Sequence, residues 1–355
     1  MGNKTVVVGL SGGVDSSTAA ALLLEAGYEV VGVTMRHLPA ETTNSCCGLE
    51  AIVDARRVAK KLGIPHHLVD VEEPFFEKVI RPFEEAYLEG LTPNPCALCN
   101  RNIKFGAMWD WAKSQGADYL ATGHYVRVRE RDGLYELMRA RDHKKDQSYL
   151  MYTMGQADLE HLLFPLGDLT KADSRAIAES RGLATAQKPD SQELCFVPKN
   201  DYQGYLREHR PEAQQVGDIV DTAGNRLGEH QGVAFYTVGQ RRGLQITAPE
   251  PQYVVGLNAA ANQVVVGTRE EAMNVVAAVE SVNYVSGEEP ERPVWGQGKV
   301  RYNMEPAAAR WVPQGLSTAR LEFEDAQWAI SPGQIAVLYQ DDVLVAGGKI
   351  AKPSP

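Results

Sequence analysis

The sequence predicts an α/β protein: an N-terminal doubly wound parallel sheet, a small central β-rich module and a C-terminal β-barrel. Three observations carry this. Short apolar runs alternate with helical stretches through the first half, the pattern of strand–crossover–strand units. A glycine-rich turn, Ser-Gly-Gly-Val-Asp-Ser-Ser at 11–17, follows the first apolar run. Beyond about residue 205, helical periodicity gives way to paired strands with turn signals between them.

The elements follow in order. Residues 5–10 form a strand and 16–26 a helix, with Ala19, Leu22, Leu23 and Ala26 on one face and Gly27 as its stop. Residues 28–35 are a second strand. Residues 49–62 are a helix whose stripe is Ile52, Ala55, Ala59 and Leu62, closed by Gly63 and Pro65. A third strand spans 66–71, a helix 73–88, a Pro-rich turn 92–95, a helix 103–115, and a strand 118–128 broken near Gly123. Thr170 and Asp173 form a capping pattern for a helix at 169–182, and Gly182 ends it. Strand pairs then appear at 218–222 with 226–227, and at 253–257 with 262–267. Residues 276–350 are strand-rich, with Val300, Leu321, Phe323 and the run 335–339 among the apolar positions. The expected domains are 1–204, 205–272 and 273–355.

Composition sets limits. The 355 residues are 44% hydrophobic and 23% charged, ordinary for a globular chain of two or three domains. No apolar run has the length of a membrane span, and residues 1–10 lack a signal-peptide pattern, so a cytoplasmic protein is expected. Five cysteines, an odd and low count, exclude a secreted disulfide scaffold. A net charge of −10 speaks against nucleic acid as a partner unless basic residues gather on one face. Arg139, Arg141, Lys144 and Lys145 in one loop, Arg241 and Arg242 in another, and Arg301 in the barrel are candidates for such a face.

The glycine-rich turn is built for an anion. Gly12 and Gly13 allow positive φ and close approach, and Ser11, Ser16 and Ser17 add hydroxyls. No lysine follows as a Walker A loop requires. The turn therefore suits holding pyrophosphate as it leaves better than moving a γ-phosphoryl group. Asp15 either orders the loop or a metal, or caps the helix.

Cysteine placement adds sulfur chemistry. Cys96 and Cys99 form a C-x-x-C after a Pro-rich turn, Cys195 sits in a polar loop, and Cys46 and Cys47 are adjacent. Such a set serves as a redox pair, part of a zinc site, or three ligands of an iron–sulfur cluster. Zinc lacks a fourth ligand. A helix beginning just after Cys99, with Arg101 and Lys104, would lower a thiol pKa.

The Ser-Gly-Gly-x-Asp-Ser turn resembles the PP-loop of ATP pyrophosphatases. Five further segments extend this: Thr-Pro-Asn-Pro-x-x-x-Cys-Asn at 92–100, Ala-Thr-Gly-His-Tyr at 121–125, Lys-Asp-Gln-Ser-Tyr at 145–149, Lys-Pro-Asp-Ser-Gln-Glu-Leu-Cys-Phe at 188–196 and Thr-Val-Gly-Gln-Arg-Arg-Gly-Leu at 237–244. Together they resemble the tRNA-specific 2-thiouridylase family across essentially the whole chain. That resemblance implies ATP with Mg²⁺, tRNA (acceptors of Lys, Glu and Gln), and a persulfide-donating sulfur carrier. It implies adenylation of the wobble-uridine C2 oxygen and sulfur transfer, forming 2-thiouridine, AMP and pyrophosphate. Gly9, Leu10, Ser11, Gly12, Gly13, Val14, Asp15, Ser16, Met35 and Gly123 would contact ATP. Asn94, Pro95 and Cys96 would meet the target base. Cys99 is the implied catalytic cysteine and Cys195 the persulfide carrier, with a Cys99–Cys195 disulfide formed in turnover. His124, Lys145, Asp146, Gln147, Arg301, Tyr302 and Gln334 would contact tRNA. Many relatives have aspartate at position 96. The cysteine here leaves a second sulfur route open, an iron–sulfur cluster held by Cys96, Cys99 and Cys195 that delivers sulfide. Two rival classes remain: an amidating ligase, which needs no essential cysteine, and a non-catalytic RNA- or nucleotide-binding protein.

Overall fold

In the computed structural model, residues 4–39, 49–189, 194–315 and 317–353 are described. Cys46 and Cys47 lie outside them. The first layer is a five-stranded parallel sheet. Its strands are β1 (Thr5–Gly9), β2 (Glu29–Arg36), β3 (His66–Asp70), β4 (Tyr119–Ala121) and β7 (Leu162–Leu163), in the order β3-β2-β1-β4-β7. Val6, Val7 and Val8 are fully buried, as a central strand covered on both faces requires. Helix α1 (Val14–Glu25) opens two residues earlier than the periodicity predicts, and α2 (Leu49–Leu62) matches the predicted range.

One predicted helix matches its expected range and another is longer than expected. Residues 72–88 run as one helix (α3) through a π-helical turn at Phe76–Ile80. The second (α4) starts at Pro95, not 103, and runs to Ser114 through a π-helical stretch at Asn100–Ala107. Its start is set by Pro95 at the first position and by Asn94, whose side chain accepts the Ala97 N–H at 3.2 Å. Helix α5 (Lys171–Ser180) has the predicted Thr170–Asp173 capping box.

The predicted strand 118–128 is two different strands. Tyr119–Ala121 stays in the parallel sheet. Val126–Arg131 (β5) turns back on Leu134–Arg139 (β6) as a hairpin, and β6 pairs with the barrel through Met138 and Val343. The central module is a sheet of β8 (Gly217–Val220), β9 (Arg226–His230), β10 (Tyr253–Asn258) and β11 (Gln263–Gly267), in the order β10-β11-β8-β9. The C-terminal unit is a closed barrel of β12 (Met273–Tyr284), β13 (Val294–Lys299), β14 (Ala307–Gly315), β15 (Thr318–Trp328), β16 (Ile335–Gln340) and β17 (Val343–Ile350). Closure is made where β12 pairs with β17, at Val279 opposite Ile350.

The core crosses these units. One apolar cluster joins Val7, Phe105, Met108 and Leu120 of the α/β unit to Ile335, Val337, Tyr339 and Leu344 of the barrel. Another joins Phe75, Phe83 and Ile103 to Ile219, Phe235, Val254 and Val264 of the central module. Among the described residues, no helix is long and apolar enough to cross a membrane.

Candidate active site

The glycine-rich turn leaves β1 under tight constraint. The Leu10 N–H donates to the Val33 carbonyl at 2.7 Å, and the Leu10 carbonyl accepts from Thr34 Oγ1 at 2.7 Å. The Ser11 N–H donates to Ser16 Oγ at 3.1 Å. Gly12 has φ +70°, and a Cβ there would lie 2.3 Å from the Ala51 carbonyl oxygen. Only glycine fits on both counts. Gly13 caps α1 in extended geometry, and no side chain occupies the cap. The first-turn N–H groups of α1 thus face the turn without a side-chain acceptor of that kind. Gly123, at the end of β4, packs onto the same turn, where a Cβ would meet Ser16 N at 2.5 Å. Met35 is half-buried in β2, the strand paired with β1.

Asp15 orders the loop and does not cap the helix. Both its oxygens accept from Lys171 Nζ at 2.8 Å, and Oδ1 accepts from the Tyr125 hydroxyl at 2.8 Å.

The thiols come from two segments, α4 and the loop at Cys195. Cys96 is exposed in the first turn of α4, and Cys99 is half-buried one turn further on. The helix start therefore precedes both cysteines, correcting the expectation of a start after Cys99. Arg101 also differs from expectation, since it pairs with Asp158 at 2.7 Å. Cys195 is half-buried, and it and Cys99 pack against one apolar cluster that includes Phe75, Ile103 and Phe196. Cys96 lies instead toward Tyr302, whose hydroxyl pKa is raised to about 12 by burial and by nearby Asp146 and Cys96. Among the described residues, no three His, Cys, Asp or Glu side chains converge as metal ligands. The iron–sulfur alternative expected from Cys96, Cys99 and Cys195 does not fit this donor geometry.

The segments expected at tRNA divide into exposed and internal groups. Asp146 is buried: it accepts from Ala140 N–H at 3.0 Å and Ser148 Oγ at 2.9 Å, and it pairs with Arg139. Gln147 Oε1 accepts the Tyr125 N–H at 3.0 Å. Tyr149, also buried, donates its hydroxyl to the Ile335 carbonyl at 2.6 Å. The 145–149 segment is thus largely a seam between the α/β unit and the barrel. His124 is buried, with Nδ1 2.7 Å from Thr122 Oγ1 and Nε2 3.3 Å from Lys104 Nζ. Burial, then the Lys104 charge, hold its pKa well below the usual histidine value. Arg301 Nη2 donates to the Val238 and Ala329 carbonyls at 3.1 and 2.6 Å and to Ser331 Oγ at 3.0 Å. Gln334 Nε2 donates to the Pro93 carbonyl at 3.3 Å, beside Asn94, Pro95 and Cys96. Tyr302 is 36% exposed, with Lys299 Nζ 5.7 Å from its ring centre.

The expected basic face is correspondingly thinner. Arg139 is buried against Asp146 and the Tyr339 ring, and Arg301 is committed to the barrel and central module. Arg141, Lys144, Arg241 and Arg242 remain exposed. Reading the sequence missed Lys299, over the Tyr149 ring, and Lys171, on Asp15. Nothing local marks them, because each acts through a partner remote in sequence.

Known proteins agree with this layout. Residues 4–199 match a tRNA methyl transferase HUP domain, 203–268 a tRNA methyl transferase PRC-barrel domain, and 276–350 an aminomethyltransferase beta-barrel domain. The tRNA-specific 2-thiouridylase MnmA of Moorella thermoacetica is 47% identical over 97% of this chain and 98% of its own length. Those of Carboxydothermus hydrogenoformans and Clostridioides difficile are 46% and 45% identical, each over 99% of both chains. The chain belongs to the tRNA-specific 2-thiouridylase family. A solved U34-tRNA thiolase from Methanococcus maripaludis with its [4Fe-4S] cluster covers 59% of this chain and 67% of its own, at 18% identity and a TM-score of 0.37. That likeness is too loose to bear on how sulfur is carried here.

Proposed function

We propose that the protein is an ATP-dependent tRNA sulfurtransferase that replaces the C2 oxygen of the wobble uridine with sulfur. The observation that supports it best is that Cys99 and Cys195, both in the domain that carries the glycine cradle, pack against one apolar cluster. A cradle alone fits any nucleotide enzyme. Two thiols from distant segments packed against one cluster fit sulfur delivery, and neither an amidating ligase nor a passive binding module needs them.

In this reading residues 9–16 hold the ATP phosphates, with Met35 and Gly123 beside the adenosine. Mg²⁺ enters on the nucleotide as part of the substrate and spreads the charge of the phosphates. The uridine O2 attacks the α-phosphorus, and the bond to the β-phosphate oxygen breaks, its electron pair leaving with pyrophosphate. The N3 proton passes to solvent. The terminal sulfur of a Cys195 persulfide attacks C2, and AMP leaves with the C–O electron pair. The Cys99 thiolate then attacks the Cys195 sulfur, giving a Cys99–Cys195 disulfide and releasing 2-thiouridine, which regains a proton. A thiol reductant restores both cysteines, and a sulfur carrier reloads Cys195. Asn94, Pro95 and Cys96 frame the base. Lys145, Tyr302 and Gln334 face the anticodon loop, while His124, Asp146, Gln147 and Arg301 shape that surface from behind. Residues 1–204 carry out the chemistry, and 205–272 with 273–355 grip the tRNA, expected to be acceptors of Lys, Glu and Gln in the cytoplasm.

The test is mass analysis of wobble uridine after incubation of tRNA with ATP and a persulfide donor. The unaltered protein gives 2-thiouridine, AMP and pyrophosphate. Cys195→Ser and Cys99→Ser give none of the thiolated base. A Cys195→Ser protein as active as its parent refutes the sulfur route.

A further inference from the structure

Lys104 sits on α4, the helix that carries Cys99. An ammonium only donates, so its 3.3 Å contact makes His124 Nε2 the acceptor and puts the ring proton on Nδ1. Nδ1 then donates to Thr122 Oγ1 at 2.7 Å. Rings of Phe105 and Phe164 flank the imidazole at 5.8 and 6.5 Å between centres. His124 is therefore a neutral strut with both ring nitrogens used, not a cation offered to RNA phosphate. The residue before it, Gly123, is pressed onto Ser16 N so closely that no side chain fits between them. One short segment, 122–124, thus touches the phosphate turn with its glycine and holds a lysine with its histidine.

Charge balance gives that lysine a purpose. The turn lacks the lysine of a Walker A loop. Lys171, beside the turn, is committed to both oxygens of Asp15. Arg101, on the same helix as Lys104, is committed to Asp158. Among the described residues, no carboxylate pairs with Lys104, and its one recorded partner is the neutral His124. As O2 bonds to the α-phosphorus, negative charge builds on the equatorial oxygens before pyrophosphate leaves with its electron pair. A fixed cation at that point stabilises the transition state more than the ground state.

We propose that Lys104 is a catalytic residue that donates to the α-phosphate oxygens during uridine activation, with His124 and Thr122 as its positioning residues. Lys104 stays protonated throughout and takes no proton from the uridine. This rests on the adenylation reading above.

The experiment uses full-length protein, wobble-uridine tRNA and ATP labelled at the α-phosphate, with sodium polysulfide as sulfur source. AMP release, pyrophosphate release and 2-thiouridine are followed together. Lys104→Gln is expected to lower kcat for pyrophosphate release by about 100-fold, the effect of removing one such donor. KM for ATP, affinity for tRNA and its salt dependence stay within two-fold, and Lys104→Arg recovers part of the rate. His124→Gln, which loosens the strut, gives a smaller loss in kcat. Lys104→Met, matched to Lys104→Gln in melting temperature and tRNA binding, guards against misfolding. Intact kcat with a salt slope reduced by about 0.7 makes Lys104 an RNA contact and overturns the proposal. Normal pyrophosphate release with lost 2-thiouridine assigns Lys104 to the sulfur step and also overturns it. If the unaltered protein thiolates without releasing AMP and pyrophosphate, the adenylation reading itself has failed.

Discussion

At the scale of single residues, burial decides what a polar side chain can do. His124 lies in a motif where a sequence reader expects a tRNA contact, yet it is buried and its pKa is held well below 6.5. His66 and His230 are shifted in the same direction, mainly by burial. His230 accepts the Gly232 N–H at Nδ1 and faces the Asn262 carbonyl with Nε2, which fixes a neutral ring. All three bind a proton more readily when the chain is unfolded. Stability therefore rises with pH while the unfolded chain holds the extra protons. It is fully present above 6.5 and is lost as pH falls from 6.5 toward the lower folded values. The expected result is a melting temperature that drops between pH 7 and pH 5. His124→Gln should flatten that drop. Parent and variant losing stability in parallel would show that His124 does not contribute to it.

At the scale of elements, local signals gave good boundaries where the stabilising contacts are local. The 49–62 helix follows from its apolar stripe and its Gly63 stop, and the Thr170–Asp173 box closes on itself. Helix α4 was also marked, by Asn94 as cap and Pro95 at the first position, but proline density reads equally as a turn. The hairpin of β5 and β6 was not legible in full. Its alternation shows strands, but its sheet is chosen by Arg127 pairing with Asp342 and Met138 opposite Val343, contacts no local window contains. The same holds for the loop at 237–244. Gly239, at φ +91°, lets that loop sit against Ala329 and Arg301, where a Cβ would come within 2.7 Å of the Ala329 side chain. Arg301 then ties Val238 to Ala329 and Ser331, and the Thr92 N–H donates to the Pro332 carbonyl at 2.8 Å, next to Asn94 and Pro95. The resemblance gives Arg301 to tRNA, and its donors hold Val238, at the start of the loop that carries Arg241 and Arg242. Arg301→Ala should weaken tRNA binding and reduce its salt dependence about as much as Arg241→Ala with Arg242→Ala. Combining all three should add little, measured by tRNA binding across a salt series. Fully additive effects would make Arg301 an independent phosphate contact.

At the scale of the whole molecule, the α/β unit, the small module and the barrel appear as the fold class predicts, and beside clusters internal to the α/β unit and the barrel they share apolar clusters across their boundaries. Val7 and Phe105 share a cluster with Val337 and Tyr339, and the hydroxyl pair Ser148–Tyr339, at 3.0 Å, lies inside that seam. Tyr339 and Tyr149 are fully buried there. Buried hydroxyls with one partner each are costly to strand, because each lost partner leaves an unsatisfied polar group worth about 1–3 kcal/mol. Sequence patterning reports which face of a strand is apolar, not which remote element covers it, so this seam was invisible to it. Through the seam the barrel and the cysteine helix pack on one core. Ending the chain after residue 272 would strip the barrel from this cluster and uncover the Tyr149 ring and the β6 edge. The expected product binds a hydrophobic dye and melts at a lower temperature or without a cooperative transition. It should also make no 2-thiouridine, although every cysteine and the whole glycine-rich turn are present. A truncated protein that melts like the parent and binds no dye would mean the α/β unit has a sufficient core of its own. Replacing Tyr149 by Phe in the full chain isolates the seam from the truncation. It keeps the ring but strands the Ile335 carbonyl, and should cost stability without touching a thiol.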